Sequence, residues 1–123
     1  MAWNFTADRP LYLQIVENIQ QKILNGEYAQ GERLPSVREL AAEAAVNPNT
    51  MQKAMAELER SGLVYSQRTS GRFITDNELL LRNLRQHTAQ AYMRDFVENM
   101  QTLGFSPVEA AQQLEEYLRK RET

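Results

Sequence analysis

Asn49, Thr50, Gln52 and Lys53 cluster at the start of a stretch with helical periodicity, and together they offer amide, hydroxyl and ammonium groups. On a helical wheel over Pro48–Arg60, Asn49, Lys53 and Ala56 lie opposite Met51, Ala54, Met55 and Leu58, with Thr50 and Gln52 at the flanks. No carboxylate falls on the outer face near the helix start; Glu57 and Glu59 come later. Such a face matches the edges of base pairs. Asn and Gln can form bidentate bonds to adenine, lysine can reach guanine or a phosphate, and alanine can approach a thymine methyl. A merely solvated helix face has similar composition, so the flanking elements decide between the two.

Other chemistry is poorly supplied. His87 is the sole histidine and lies in the polar run Arg85-Gln86-His87-Thr88; there is no cysteine. Without cysteine or a second histidine no familiar zinc cage can be assembled within one chain, and His87, read as a solvated helical residue, is not expected to serve a Ser-His-Asp arrangement. Glu115 and Glu116 are adjacent and project from different helix faces, and no Gly-rich phosphate loop is present. No enzyme, metal or cofactor is expected.

The elements that must position the polar face are plainly marked. A first helix is expected from about Pro10, with the stripe Tyr12, Ile15, Val16, Ile19 and Ile23, ending at Asn25-Gly26. Gly31 falls in a loop. Ser36-Val37-Arg38-Glu39 is a capping box that opens a short second helix, with Val37, Leu40 and Ala41 inward. After the turn Ala44-Ala45-Val46, Asn47 caps a third helix with Pro48 in its first turn, and Ser61-Gly62 ends it. Two helices joined this tightly read as a helix-turn-helix. Leu63–Ser66 and Phe73–Thr75 are strand candidates, and Gln67–Arg72 is the turn between them. A hairpin there is a wing. It brings Arg68, Ser70, Gly71 and Arg72 beside the third helix.

Beyond the wing, Thr75-Asp76-Asn77-Glu78 and Ser106-Pro107-Val108-Glu109 read as two further capping boxes, launching helices to Gly104 and to about Arg119. Leu81, Leu84, Tyr92, Phe96, Met100 and Leu103 form a stripe on the first; Val108, Ala111, Leu114 and Leu118 form one on the second. Two helices of this size do not bury a self-sufficient core. A symmetric dimer interface is expected, with packing on the same chain's head as the alternative. No large organic effector is expected in this tail, which shows no set of convergent polar groups. The expected architecture is mainly α with a small β-hairpin: a winged helix-turn-helix over residues 1–75 and a two-helix dimerisation hairpin over 76–123.

Net charge is −2, which alone argues against nucleic acid, but its distribution argues the other way. No acid lies between Glu43 and Glu57, or between Arg60 and Thr75, and half of the acidic residues lie from Asp76 onward. The absence of a long apolar run and of a signal-type start at Met1–Phe5 leads to the expectation of a cytoplasmic protein with no membrane partner. A winged helix used for protein contact is the remaining rival; its recognition face need not lack carboxylates, as this one does.

The segment Gly31-Glu32-Arg33-Leu34-Pro35-Ser36-Val37-Arg38-Glu39-Leu40-Ala41 closely resembles the GntR family of bacterial regulators. The resemblance continues through Val46–Ala54, Leu58–Val64 and the wing glycine Gly71. It implies a homodimer on a palindromic double-stranded DNA operator, a phosphate grip by Arg38, and entry of the wing at Gly71 into the minor groove. Ser36 and Asn47, at the two helix starts, join the expected DNA-facing set. Arginines that other family members carry at the positions of Pro48 and Gln52 are absent here. The Asn47-Pro48-Asn49-Thr50 start and the short tail resemble the YtrA subfamily, which implies dimerisation through the tail and control of transporter operons.

Overall fold

The computed structural model describes residues 3–122 and forms two compact units that divide between Leu81 and Arg82. In the first, helix α1 (Leu11–Leu24) starts after Pro10 and ends at Asn25, with Gly26 at φ 86°. Helix α2 (Val37–Ala44) begins at the expected capping box: Ser36 Oγ accepts from Glu39 N (3.1 Å) and Glu39 Oε1 accepts from Ser36 N (3.2 Å). It ends at Ala45, a non-glycine residue in the left-handed region (φ 58°). That conformation costs alanine about 1–2 kcal/mol. Val46 N donating to Ala41 O at 3.0 Å helps hold the turn closed. Helix α3 (Pro48–Arg60) follows at once, with Asn47 Oδ1 accepting from Asn49 N at 2.7 Å.

Ile15, Ile19, Leu40, Met51, Ala54, Met55 and Leu58 are fully buried, so the three apolar stripes meet as their spacing requires. Strands β1 (Val64–Gln67) and β2 (Gly71–Ile74) pair antiparallel, with Val64 opposite Ile74 and Tyr65 opposite Phe73. The connecting turn is only Arg68-Thr69-Ser70, shorter than the sequence suggests, because Gln67 and Gly71–Arg72 join the ladder. The supposed loop around Gly31 is also partly sheet. Leu34 N donates to Arg72 O and Ile74 N to Glu32 O, both at 2.8 Å, so residues 32–34 lie as a third edge beside β2.

Two buried polar residues hold the segment before α1. Gln14 Nε2 donates to Thr6 O (2.9 Å) and Arg9 O (2.8 Å), while its Oε1 accepts from Thr6 N (2.8 Å). Lys22, 2% exposed, places its Nζ 3.9 Å from the Trp3 ring centroid and 5.7 Å from that of Tyr28. Glu27 (3.6 Å) and Glu43 (4.0 Å) balance its charge. The same burial, followed by Glu43, Glu27 and Glu32, pushes the Tyr28 hydroxyl up to about 12.

Helix α4 (Glu78–Thr102) does not start with the expected capping box. Asn77 caps it, accepting from Leu80 N at 3.1 Å, and Thr75 Oγ1 instead accepts from Asn77 N at 3.1 Å. Thr75 is buried, and its backbone N–H donates to Leu63 O at 2.9 Å, which ties it to the hairpin side of the junction rather than to α4. Leu81, assigned above to a dimer face, is 7% exposed and falls within the first unit, so it is a core residue of its own chain.

In the second unit, Gly104 (φ 92°) ends the helical run, and Ser106 and Glu109 make their capping box at the start of α5 (Pro107–Glu122). The inward position on α5 is Ala110, fully buried, rather than its neighbour Ala111, while Val108 is 68% exposed. A methyl side chain lets one helix approach another closely, which a wheel drawn through the larger residues does not register. Phe96 and Met100 of α4 with Gln113, Leu114 and Tyr117 of α5 line an open apolar cleft of about 350 Å³.

Lys22→Ala should lower stability by about 2 kcal/mol through loss of the desolvated cation–π contact and its packing. Lys22→Met should cost less. Both should shift the emission of Trp3, the sole tryptophan, which urea titration followed by fluorescence measures directly.

Candidate nucleic-acid interface

On α3 the buried residues are Met51, Ala54, Met55 and Leu58, which turns Asn49, Gln52, Lys53 and Ala56 outward. Asn49 and Gln52 are exposed and Thr50 is half-buried at the flank. The Lys53 Nζ lies 4.0 Å from the ring centroid of Tyr12 on α1. The contact fixes a long, mobile cation over an aromatic face while leaving the residue exposed. Nothing in the sequence around Lys53 signals this partner, which belongs to another helix.

The two acids of α3 are engaged within the chain. Glu57 receives Arg60 Nη2 at 2.6 Å. Glu59 Oε1 accepts from Ser66 Oγ and from Arg72 Nε, both at 2.5 Å, across the gap between α3 and the hairpin. The Ser66 hydroxyl and then the Arg72 guanidinium hold the Glu59 carboxyl below its ordinary range. Ser66 and Arg72 are cross-strand partners, so their side chains share one face of the hairpin, the face turned to α3.

This arrangement corrects one sequence expectation. Arg72 is not a free guanidinium at the wing tip; its side chain is 24% exposed and fastens β2 to α3. Arg68 and Ser70 are exposed in the turn, and Gly71 adopts φ 106°, a conformation that favours glycine. Arg38 is exposed at the start of α2. Ser36 and Asn47, expected among the DNA-facing groups, use their side-chain oxygens as caps; the Ser36 hydroxyl proton is not consumed by the bond it accepts. The candidate interface is therefore an exposed amide-and-lysine face on α3 beside a fastened hairpin bearing Arg68.

The model of the bacterial regulatory proteins of the gntR family matches residues 11–74, from the first residue of α1 to the end of β2. The chain belongs to the GntR family. It is 36% identical to the HTH-type transcriptional regulator YhcF of Bacillus subtilis over 105 residues, 85% of this chain and 87% of YhcF. It is 44% identical to the HTH-type transcriptional repressor YtrA of the same organism over 68 residues, 55% of this chain and 52% of YtrA. Among solved structures, a GntR family transcriptional regulator from Listeria monocytogenes superposes with a TM-score of 0.82 at 34% identity, covering 94% of this chain and 98% of that one. The DNA-binding domain of AraR, in complex with operator ORX1, gives 0.54 at 28% identity over 58% of this chain and 93% of that one. As a YtrA-like member of the GntR family, the protein is a DNA-binding transcriptional regulator and not an enzyme. No helix of the described residues is long and apolar enough to cross a membrane.

The Glu59 clamp has a pH signature. A carboxyl whose folded pKa is depressed contributes stability above its ordinary value, near 4.5, and loses that contribution as pH falls through the lower folded value. The wing amides of Ser66 and Arg72 should therefore shift together in NMR spectra on acidification below about pH 4.5. Glu59→Gln should abolish this titration and cost about 1 kcal/mol or less, as for a partly exposed pair.

Proposed function

We propose that the protein is a cytoplasmic repressor that binds a palindromic operator as a homodimer. The α3 helix lies in the major groove and the wing lies over the adjacent minor groove. The observation that carries this reading is the α3 face itself: Asn49, Gln52 and Lys53 are exposed, while Glu57 and Glu59 are engaged within the chain. Asn49 and Gln52 read base edges, Lys53 and Arg38 contact guanine or phosphate, and Arg68 and Ser70 meet the backbone at the wing. Repression is supported by the name of the YtrA relative and operator binding by the AraR complex. The likeness to YtrA suggests a transporter operon as the target.

The dimer is assigned to the second unit. Tyr92, Leu114 and Leu118 are 56%, 42% and 46% exposed, Leu84, Phe96 and Met100 are half-buried, and Phe96, Met100 and Leu114 line the apolar cleft. Apolar surface of this extent on a two-helix unit is best covered by a second copy of the same surface.

Selection of duplexes from a random pool by the full-length protein, followed by footprinting, tests the reading. Half-sites should be related by a two-fold and lie about 34 Å apart. Asn49→Ala or Gln52→Ala should cost ~1–3 kcal/mol and relax preference at one position of each half-site; unchanged discrimination in both would refute the recognition-helix assignment. Phe96→Glu combined with Leu114→Glu should give a monomer by sedimentation, with much weaker operator binding because the two heads are no longer linked.

A further inference from the structure

Resting on that reading of the wing, the geometry points to Arg33 as the guanidinium that the wing presents to the DNA minor groove. No sequence signal places Arg33 there, since it lies before α2 and well away from the hairpin along the chain. It reaches the hairpin because residues 32–34 pair with β2, setting Arg33 opposite Phe73. Residues opposite one another in antiparallel strands project to the same face. Phe73 is in turn opposite Tyr65, with ring centroids 5.8 Å apart, so Arg33, Phe73 and Tyr65 form one row on the face turned away from α3.

From that row the Arg33 side chain runs along the hairpin to Gly71, the residue next to the tip. A Cβ built on Gly71 would stand 2.9 Å from Arg33 Nε, 3.3 Å from Nη2 and 3.5 Å from Cζ. The guanidinium thus lies over Gly71, and a side chain at that position would require Arg33 to move. Gly71 serves two purposes: it takes a positive φ, and it seats a cation beside Ser70 at the tip.

Arg72 and Arg33 then divide the work. Arg72 lies on the face toward α3 and is fastened to Glu59. Arg33 is exposed on the opposite face and makes no ion pair among the described residues. Its charge acts on Glu39, but that carboxylate is engaged with the Ser36 backbone. The neighbouring Glu32 accepts from Ala29 N at 3.0 Å. A cation without an ion-pair partner among the described residues, lying over Gly71 beside the exposed turn, suits a narrow A·T-rich minor groove, where negative potential is concentrated.

The test uses the full-length protein, a duplex taken from the random-pool selection, and two versions of it that carry A·T or G·C pairs under the wing. Arg33→Ala should weaken binding about tenfold on the A·T duplex and clearly less on the G·C duplex, as loss of a groove contact does. The slope of log affinity against log salt should fall by about 0.9 for each head bound. Arg33→Lys keeps the charge and should preserve the slope while losing much of the A·T preference. Arg72→Ala should leave the ratio between the two duplexes nearly unchanged. Equal loss on both duplexes, or no loss in either Arg33 variant, overturns the assignment. If the unmodified protein selects no duplex, the failure belongs to the operator-binding reading rather than to Arg33.

Discussion

The carboxylate of Glu59 governs the geometry of both surfaces proposed to meet DNA. It sits near the end of α3 and accepts hydrogen bonds from β1 through Ser66 and from β2 through Arg72. A helix and a hairpin joined by one short segment, Ser61–Leu63, retain freedom to tilt against each other; two charge-assisted bonds from both strands remove much of it. The apolar half of the same joint is Leu58, Leu63, Val64 and Ile74, all buried. Apolar packing resists separation but tolerates sliding. The directed bonds at Glu59 supply the register that packing does not.

A comparable logic operates at the other end of the first unit. The segment before α1 has no secondary structure of its own, yet Gln14 binds it through three main-chain bonds and Lys22 receives Trp3 as a cation–π partner. Both polar residues are buried on the core stripe of α1, where a hydrophobic residue would ordinarily sit. Each is tolerated because its polar atoms are matched: the amide by carbonyls and an N–H, the ammonium by two rings and two carboxylates. Trp3 offers its ring face there, and its indole N–H has no hydrogen-bond partner among the described residues.

The elements set by local chemistry were legible in the sequence. Capping boxes at Ser36 and Ser106, the Asn47 cap with Pro48, and the glycines at helix ends are short-range rules, and the chain follows them. The outward face of α3 was legible too, because its buried stripe is periodic. What escaped depends on contacts distant in sequence. The third edge at residues 32–34 has no strand pattern and forms only because β2 is there to pair with it. Arg72 reads as one more basic wing residue until the strand register turns it toward Glu59. Lys53 meets Tyr12 across two helices, and Ala110 rather than a large residue marks the inward side of α5. Thr75 shows the remaining failure: two competing local caps fit the same letters, and Asn77 takes the helix start while Thr75 binds the Asn77 N–H.

A net charge of −2 is compatible with a DNA-binding surface because charge matters where it is free to act. Near the proposed interface the acids are engaged at short range: Glu39 with the Ser36 backbone, Glu57 with Arg60, Glu59 with Ser66 and Arg72. In two of these three cases, Glu39 and Glu59, hydrogen bonds hold the carboxyl below its ordinary range, so the acid stays charged with an oxygen committed to donors of its own chain. The cations Arg33, Arg38, Lys53 and Arg68 remain exposed. On α5, Glu115 and Glu116 face Arg119 and Lys120 one helical turn on. The exposed groups on the α3 face and in the wing turn are thus amides, Lys53 and Arg68, while the acids of α3 are bound to donors of their own chain.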